Sequence, residues 1–264
     1  MKRILFLAAA AALTLTSCKK DETVEYNPSV KAPLTVEFDN VAGSNDLQLA
    51  TGTYTNAAGE DFTVTKLKYY ISNIKLTRTD GTEYVVPQND SYFMVDESDE
   101  ATHEAELSVP EGEYKTVQFL VGVDSLRSTM DVSQRTGVLD PSGAGADMYW
   151  TWNSGYIFFK MEGTSPAATG MGNSFMYHIG GFGGYSAPTI NNIKTVTLDL
   201  STHGVPKVKA GKTTNIHLLV DVLKMFNGSP NVSIAANPMV MFDPFSASIA
   251  NNYASMFSHA HTEN

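Results

Sequence analysis

The chain has 264 residues, a formal net charge of −10 at pH 7 and a sequence pI near 5.0. Nucleic acid and anionic lipid surfaces repel such an acidic chain, so neither is expected as an electrostatic partner. With a single cysteine the chain cannot form an internal disulfide. It carries no nucleophile-and-base motif and no dinucleotide fingerprint, so nothing in it indicates an enzyme.

Residues 1–18 have the form of a lipoprotein signal peptide. A basic start precedes the apolar run Ile4 to Leu15, which is too short to span a bilayer comfortably. The lipobox-like end at Cys18 predicts lipidation of a new N-terminus; an ordinary signal peptide with a spare cysteine is the alternative. Residues 19–33 are polar and predict a flexible tether. We therefore expect an outer-membrane lipoprotein on the periplasmic or cell-surface side, held to the membrane by its lipid.

Residues 34–264 predict one domain of short strands. In Thr63 to Leu76 the alternation changes register near Ser72-Asn73, which predicts a bulge, and Asp80-Gly81 predicts a hairpin turn. Many short strands separated by turns are typical of an all-β, antiparallel β-sandwich. The predicted strands are Leu34 to Phe38, Thr63 to Leu76, Glu83 to Val86, Tyr92 to Val95, Val117 to Val123, Tyr156 to Met161, Phe175 to Ile179, Val196 to Leu200, Asn215 to Val220 and Val232 to Ile234.

Long loops and one short helix complete the prediction. Residues 124–148 are rich in glycine and polar residues, with a helical turn expected at Ser125 to Met130. A loop of this length inside a compact domain is usually functional or mobile. Asp243-Pro244 predicts the start of a C-terminal helix that presents Phe245, Ile249 and Tyr253 on one face and closes an end of the sandwich.

The stretch Asp147 to Gly163 holds both tryptophans of the chain, Trp150 and Trp152. Side chains two apart on a strand share a face, so the two indoles are expected side by side. Asn153-Ser154-Gly155 predicts a tight bend or bulge between two extended pieces. An aromatic core strand is the simplest interpretation, and an aromatic site is the alternative.

Six histidines are scattered along the chain, and no spacing makes them a site. His178 lies at a strand end between two glycine-rich loops, where sites tend to form. His217 alternates with Leu219 and can be a core or a site residue, while His259 and His261 follow the predicted helix in the tail. Copper accepts imidazole nitrogen and methionine sulfur, but the eleven methionines do not cluster.

The segment Gly122 to Gly163, with L-D-P followed by W-x-W-N-S-G-Y, resembles the signature region of the MbnP-like family. These are periplasmic or surface copper-binding proteins encoded beside methanobactin genes and in other bacteria. The resemblance continues weakly around His178, around His217 and from Asn251 to His261. Two departures from the family pattern are the residue after His178-Ile179-Gly180 and a histidine missing after the first core strand.

The resemblance implies that copper is held by histidine and by a tryptophan that a dihaem partner protein has oxidised to kynurenine. An indole N–H only donates, whereas the opened ring leaves an aromatic amine with a lone pair. The implied metal residues are His178, Trp150 or Trp152, His217 and His261, and Trp150 is slightly preferred because it lies nearer the long loop, where access is easier. We expect His178, a tryptophan and one of the C-terminal histidines or His217 to converge.

Two functional hypotheses follow. The first is an exported, lipid-anchored copper-binding protein rather than an enzyme. The alternative is a non-metal surface module that binds glycan or protein on a stacking platform of Tyr149, Trp150, Trp152 and Tyr185. A redox enzyme has no motif in its support. Histidines that meet a tryptophan favour copper, and an aromatic cluster without histidine favours the platform.

Overall fold

The computed structural model describes residues 24–153 and 155–264. The predicted signal peptide, Cys18 and residues 19–23 of the tether lie outside the described residues. Within them, no helix is long and apolar enough to cross a bilayer. The first strand begins at Lys31, three positions before the predicted start of the domain at residue 34. Just before it, Asn27 N–H donates to the Glu111 carboxylate at 2.9 Å.

The elements follow one another along the chain, strands and helices each numbered in chain order. The strands are β1 (Lys31–Ala42), β2 (Asn45–Asp46), β3 (Tyr54–Thr55), β4 (Asp61–Arg78), β5 (Glu83–Val85), β6 (Tyr92–Asp96), β7 (Glu104–Pro110), β8 (Gly112–Val121), β9 (Tyr149–Trp150), β10 (Gly155–Thr164), β11 (Ser174–Gly180), β12 (Lys194–Asp199), β13 (Lys207–Val208), β14 (Asn215–Asp221), β15 (Met239–Val240) and β16 (Phe257–Glu263). The α-helices are α1 (Ser125–Thr129), α2 (Leu223–Phe226) and α3 (Ser246–Tyr253).

The strands form two sheets. The smaller sheet has the order β16-β14-β1-β2, with β7 also paired to β1. The larger sheet has the order β12-β8-β4-β10-β11-β15, and short strands add to β4, β8 and β10. Most pairs are antiparallel, whereas β1 with β14 and β11 with β15 are parallel. The predicted all-β sandwich with a short C-terminal helix is confirmed.

Aromatic side chains join the inner faces of the two sheets. Phe38 of β1 is fully buried, and its ring lies 6.3 Å from that of Tyr69, 5.9 Å from Phe119 and 6.3 Å from Phe257, centroid to centroid. Its neighbours Glu37 and Asp39 stay partly exposed on the opposite face of the strand. Burial of one such ring stabilises the fold by about 1.5–3 kcal/mol. The period-2 pattern of β1 therefore separates the core from an outer surface.

The predicted bulge and hairpin are both present. The pairing of β4 with β8 shifts register between Ser72 and Lys75, and Asn73 adopts a φ of 52° there. Gly81 has a φ of 89°, and its N–H donates to the Arg78 carbonyl at 3.0 Å. A positive φ is easiest for glycine, which explains its place in the turn between β4 and β5.

The predicted strand at Val232 to Ile234 is wrong. Both apolar side chains are fully buried, but the segment is a loop. Its polar groups are satisfied by the Glu60 carboxylate, which accepts from Ser233 Oγ at 2.7 Å and from Ile234 N–H at 2.7 Å. A carboxylate that accepts backbone N–H groups replaces the neighbouring strand that a buried extended segment otherwise needs.

The C-terminal helix begins later than predicted, and the tail after it forms a strand. Helix α3 begins at Ser246, after the Asp243 carboxylate has accepted the N–H of Phe245 at 2.8 Å. The histidine-containing tail is not loose, because it forms strand β16 along β14. This strand completes an edge of the smaller sheet.

Candidate functional site

The tryptophan hairpin, defined as β9, the turn after it and the start of β10, carries the W-x-W motif. Gly155 pairs with Trp150 and Tyr156 with Tyr149. The two indole rings lie 5.2 Å apart at an interplanar angle of 40°. The contact agrees with the spacing, although Trp152 lies in the turn and not in the strand. Trp150 is 5% exposed and Trp152 63%, so the expectation that Trp150 is easier to reach is wrong.

Trp150 is buried because a glycine leaves room for its ring. A Cβ on Gly180 of β11 would lie 2.8 Å from Cζ3 of Trp150 and 2.2 Å from the carbonyl oxygen of Tyr156. The ring of Phe242 approaches from another side, with centroids 6.3 Å apart and planes at 74°. Three distant segments therefore fix the indole: the hairpin, the end of β11 and the residue just before the Asp243 cap.

The long loop before the hairpin is fastened to it. The Tyr156 hydroxyl donates to the Leu139 carbonyl at 2.6 Å, and Arg135 Nη1 donates to the Tyr149 hydroxyl at 3.1 Å. The predicted helical turn in this loop is present as α1, which the Asp124 carboxylate caps by accepting Arg127 N–H at 3.0 Å. These hydrogen bonds hold the loop against the hairpin.

Beside the hairpin lies a cleft of about 190 Å³. Its aromatic walls include Phe182 and Phe242, and Tyr185 at its rim is 75% exposed. The described lining contributes ring faces, backbone groups and small polar side chains, and neither an imidazole nor a carboxylate. The lining residues are Asn153, Gly155, Gly181, Phe182, Gly184, Tyr185, Thr189 and Phe242. Such a surface suits a flat or ring-shaped neutral ligand.

A charged network covers the outer face of the larger sheet next to the hairpin. The buried Lys160 ammonium donates to the Asp147 carbonyl at 2.6 Å and to its Oδ1 at 2.7 Å. Lys66 and Lys68 place their ammonium groups 3.5 Å and 3.4 Å from Asp147 Oδ2. Burial acts to raise the pKa of Asp147, but the hydrogen bond and charge of Lys160 and the other two ammonium groups lower it overall.

His178 belongs to this network and not to the aromatic cleft. Its Nε2–H donates to the Glu162 carboxylate at 2.8 Å. Burial lowers the pKa of His178 below its ordinary value of 6.5; the hydrogen bond to Glu162 opposes this, and the charge of Lys160 adds to it. The imidazole is therefore neutral at pH 7, but its Nε2 is engaged and ammonium groups disfavour a cation nearby.

The other predicted histidines lie on the smaller sheet. His217 and His261 are paired across β14 and β16, with ring centroids 4.7 Å apart. His259 turns inward, where Nε2 lies 2.9 Å from Thr262 Oγ1. A register shift between His217 and Leu218 adds one residue to β16 and sends His259 and His261 to opposite faces.

The predicted convergence of His178, a tryptophan and His217, His259 or His261 does not occur. His178 points away from the core on β11, and His217 points away from it on β14, because Tyr177, Ile179, Ile216 and Leu218 fill the core positions between them. The two imidazoles therefore face outward from different sheets. Within residues 24–153 and 155–264, no three His, Cys, Asp or Glu side chains are grouped so that they could bind one metal ion.

Sequence reasoning missed Phe182, Phe242 and the space that Gly180 leaves for the Trp150 ring. The aromatic residue inside the run Gly180 to Gly184 was a usable signal, because glycine-rich loops often carry functional residues and a bulky ring within such a loop is a candidate for one. Nothing near Phe242 in the sequence points to Trp150, because more than ninety positions lie between the two residues.

The fold and the hairpin define a two-sheet β-sandwich protein whose aromatic surface site is built on a W-x-W turn. A family model described as MbnP matches residues 31–242. Because the match covers well over half of the sequence, the chain belongs to the MbnP family.

A solved structure has the same fold. The chain is similar to MbnP from Methylosinus trichosporium with a TM-score of 0.55 and 19% sequence identity, over 83% of this chain and 87% of that one. At this identity the likeness concerns the fold. A search of curated proteins finds no match.

Proposed function

We propose that the chain is an exported, lipid-anchored copper-binding protein whose functional site is the tryptophan hairpin. The observation that carries the proposal is the W-x-W turn itself, in a chain of the MbnP family: a buried indole, Trp150, in ring contact with an exposed one, Trp152. A role in the core does not explain why 63% of Trp152 is exposed to solvent, so the exposed ring favours a function at the surface.

The hairpin with two intact indoles does not fit a copper ion. An indole N–H has no lone pair to offer, and the rings in contact with Trp150, those of Trp152 and Phe242, supply no imidazole or thioether. His178 holds its Nε2 on Glu162. The proposal therefore requires oxidation of a tryptophan to kynurenine by a partner protein, and we assign no ligand geometry to the ion.

The cleft favours a second candidate function, recognition of a glycan or peptide by stacking. Trp152 and Tyr185 present exposed rings beside a cleft whose described lining is free of charge. Ring faces of this kind bind sugars and peptide side chains without any metal. The described lining of the cleft contains a cluster of aromatic rings and no histidine, which is the arrangement expected for a stacking platform.

Protein purified from its native host separates the two functions. If the hairpin binds copper, the peptide with Trp150 and Trp152 carries one tryptophan with an oxygen gained and a carbon lost, and copper remains after dialysis. Trp150→Phe and Trp152→Phe, made in parallel, identify the oxidised position as the one whose loss removes both the mass change and the copper. Intact indoles without retained copper contradict the proposal.

The same protein tests the platform. Stacking predicts intact indoles and quenching of Trp152 fluorescence by an added oligosaccharide or peptide, with the quenching absent from Trp152→Phe. Tyr185→Ala then weakens binding without any change in metal content. Protein from a foreign host serves only as the unmodified reference, because it lacks an oxidising partner.

A further inference from the structure

The long loop before the tryptophan hairpin encloses a polar cavity of its own. The cavity holds about 470 Å³ and is bounded by the loop, by α1 and by the start of β6. This volume is within the range of about 300–1,000 Å³ that small-molecule sites occupy. No described residue lines both this cavity and the cleft beside the hairpin. The polar residues of its lining are Asn89, Tyr92, Arg127, Ser133, Gln134 and Thr136.

Arg127 of α1 places a buried positive charge at this cavity. The residue is 5% exposed, and its guanidinium carbon lies 4.8 Å from the centroid of the Tyr92 ring. Nη1 donates to the Gln134 carbonyl at 2.7 Å, and Nη2 donates to Asn89 Oδ1 at 2.5 Å. Nε is buried without an acceptor, and the guanidinium forms no ion pair with any residue that the structure describes. The groups that accept its hydrogen bonds are therefore neutral.

The carboxylates nearest to Arg127 in the sequence are engaged by other donors. Asp124 accepts from the Tyr92 hydroxyl and, at 3.0 Å, from the backbone N–H of Arg127. Asp131 accepts from the N–H of Ser133 at 2.9 Å and from its hydroxyl at 2.7 Å. A buried cation is costly without a counter-charge beside it. Because each terminal nitrogen of a guanidinium carries two hydrogens, Arg127 keeps donors as well as charge for a ligand.

The lining indicates the chemistry of that ligand. A guanidinium binds a carboxylate through two parallel hydrogen bonds, which are stronger than bonds between neutral groups. Ser133, Gln134 and Thr136 are exposed and line the same cavity, and their hydroxyl and amide groups can both donate and accept. Such groups suit the hydroxyls of a ligand. The combination favours a small carboxylic acid that also carries hydroxyl groups.

The surrounding charges limit the ligand to one carboxylate. An adjoining cavity, which shares Tyr92 with this one, has Asp90 and Glu106 in its lining. Lys31 also lines it, but its ammonium lies over the Tyr84 ring, 5.5 Å from the centroid. The whole chain has a net charge of −10. A phosphate or a polyacid would find one guanidinium in the described lining and would be repelled by its surroundings.

We propose that this cavity binds one sugar acid, a small molecule with a single carboxylate and several hydroxyl groups. The carboxylate pairs with the Arg127 guanidinium, and the hydroxyl groups exchange hydrogen bonds with Ser133, Gln134 and Thr136. The site lies apart from the cleft of the tryptophan hairpin and needs neither a metal nor an oxidised residue. It therefore goes beyond the proposed copper function and does not rest on it.

Calorimetric titration of the full-length protein with sodium glucuronate tests the site. We expect one glucuronate per chain. Glucose lacks the carboxylate and acetate lacks the hydroxyl groups, so each should bind at least about tenfold more weakly than glucuronate. Inorganic phosphate should bind no better than acetate, because the site offers one guanidinium to a more highly charged ion.

Two substitutions at Asn89 distinguish ligand binding from a structural role of Arg127. Asn89→Asp places a carboxylate on Nη2 of Arg127, which engages the guanidinium and repels a second carboxylate. Its affinity for glucuronate should fall at least about tenfold. Asn89→Ala, the matched control, removes the acceptor from Nη2 without adding charge, so it should bind glucuronate with no loss of affinity. Asn89 is exposed, so both variants leave the core intact, and circular dichroism verifies this.

Three results overturn the site. They are no saturable binding of glucuronate, binding of glucose, acetate or phosphate as tight as that of glucuronate, and equal affinities in the folded Asn89→Asp and Asn89→Ala variants. A purely structural Arg127 predicts the last of these, because an ion pair in place of the amide contact maintains the loop. None of the three bears on the copper function, which is tested by the mass and metal content of protein from the native host.

Discussion

Gly180→Ala tests whether the tryptophan hairpin rests on a close backbone contact. The added Cβ would lie 2.2 Å from the Tyr156 carbonyl oxygen and 2.8 Å from Cζ3 of Trp150. The indole can shift, but the carbonyl belongs to β10, which is paired to β11 at Ile157 and Gly180. Relief of the clash therefore requires the two strands to separate or the pairing to end early.

The magnitude follows from that obstruction. Extra methyl groups in packed sites cost about 1–3 kcal/mol when side chains can give way, and here a backbone atom must move, so the upper end applies. Because alanine has less backbone freedom than glycine in the unfolded chain, the substitution also stabilises the folded protein by about 0.4–1 kcal/mol. The net cost of about 2–2.6 kcal/mol lowers the melting temperature by roughly 4–10 °C in a domain of this size.

Gly155→Ala is the matched control within the same hairpin. Its Cβ meets no atom closer than 3.8 Å, so we expect a melting temperature between that of wild type and about 4 °C above it. Calorimetry measures both variants, and in a Trp152→Phe background the fluorescence of Trp150 shifts to longer wavelength in Gly180→Ala as water reaches the ring. Equal melting temperatures for the two alanine variants would refute the reasoning.

Three further predictions concern the anchor, the core and the charged network. Cys18→Ala should remove the protein from the membrane fraction, and unchanged fractionation contradicts lipid anchoring. Phe38→Ala should cost about 3–5 kcal/mol in chemical denaturation, because it empties the ring cluster between the sheets; less than about 1.5 kcal/mol contradicts that role. Asp147 has a lowered pKa, so its stabilisation is present at neutral pH and is lost as the pH falls below 3.8. The difference in melting temperature between wild type and Asp147→Asn should therefore narrow toward pH 3, and a constant difference contradicts the pairing.

Alternation predicted the strands well where one face is buried and the other exposed. In β1, buried Val36 and Phe38 alternate with polar Glu37 and Asp39, and the pattern reports the two faces directly. It failed at Val232 to Ile234, because a short apolar pair looks the same in a strand and in a buried loop. The Glu60 carboxylate that satisfies this loop lies more than 170 positions away in the sequence.

The candidate site was predictable only in its local part. The contact of Trp150 with Trp152 depends only on consecutive residues, so the sequence could predict it, although Trp152 reaches Trp150 from the turn and not from a strand. Phe242 and Gly180, which bury Trp150, come from segments whose place depends on sheet order. The pairing of His217 with His261 likewise depends on the parallel and antiparallel neighbours that β14 acquires, and on the one-residue bulge in β16.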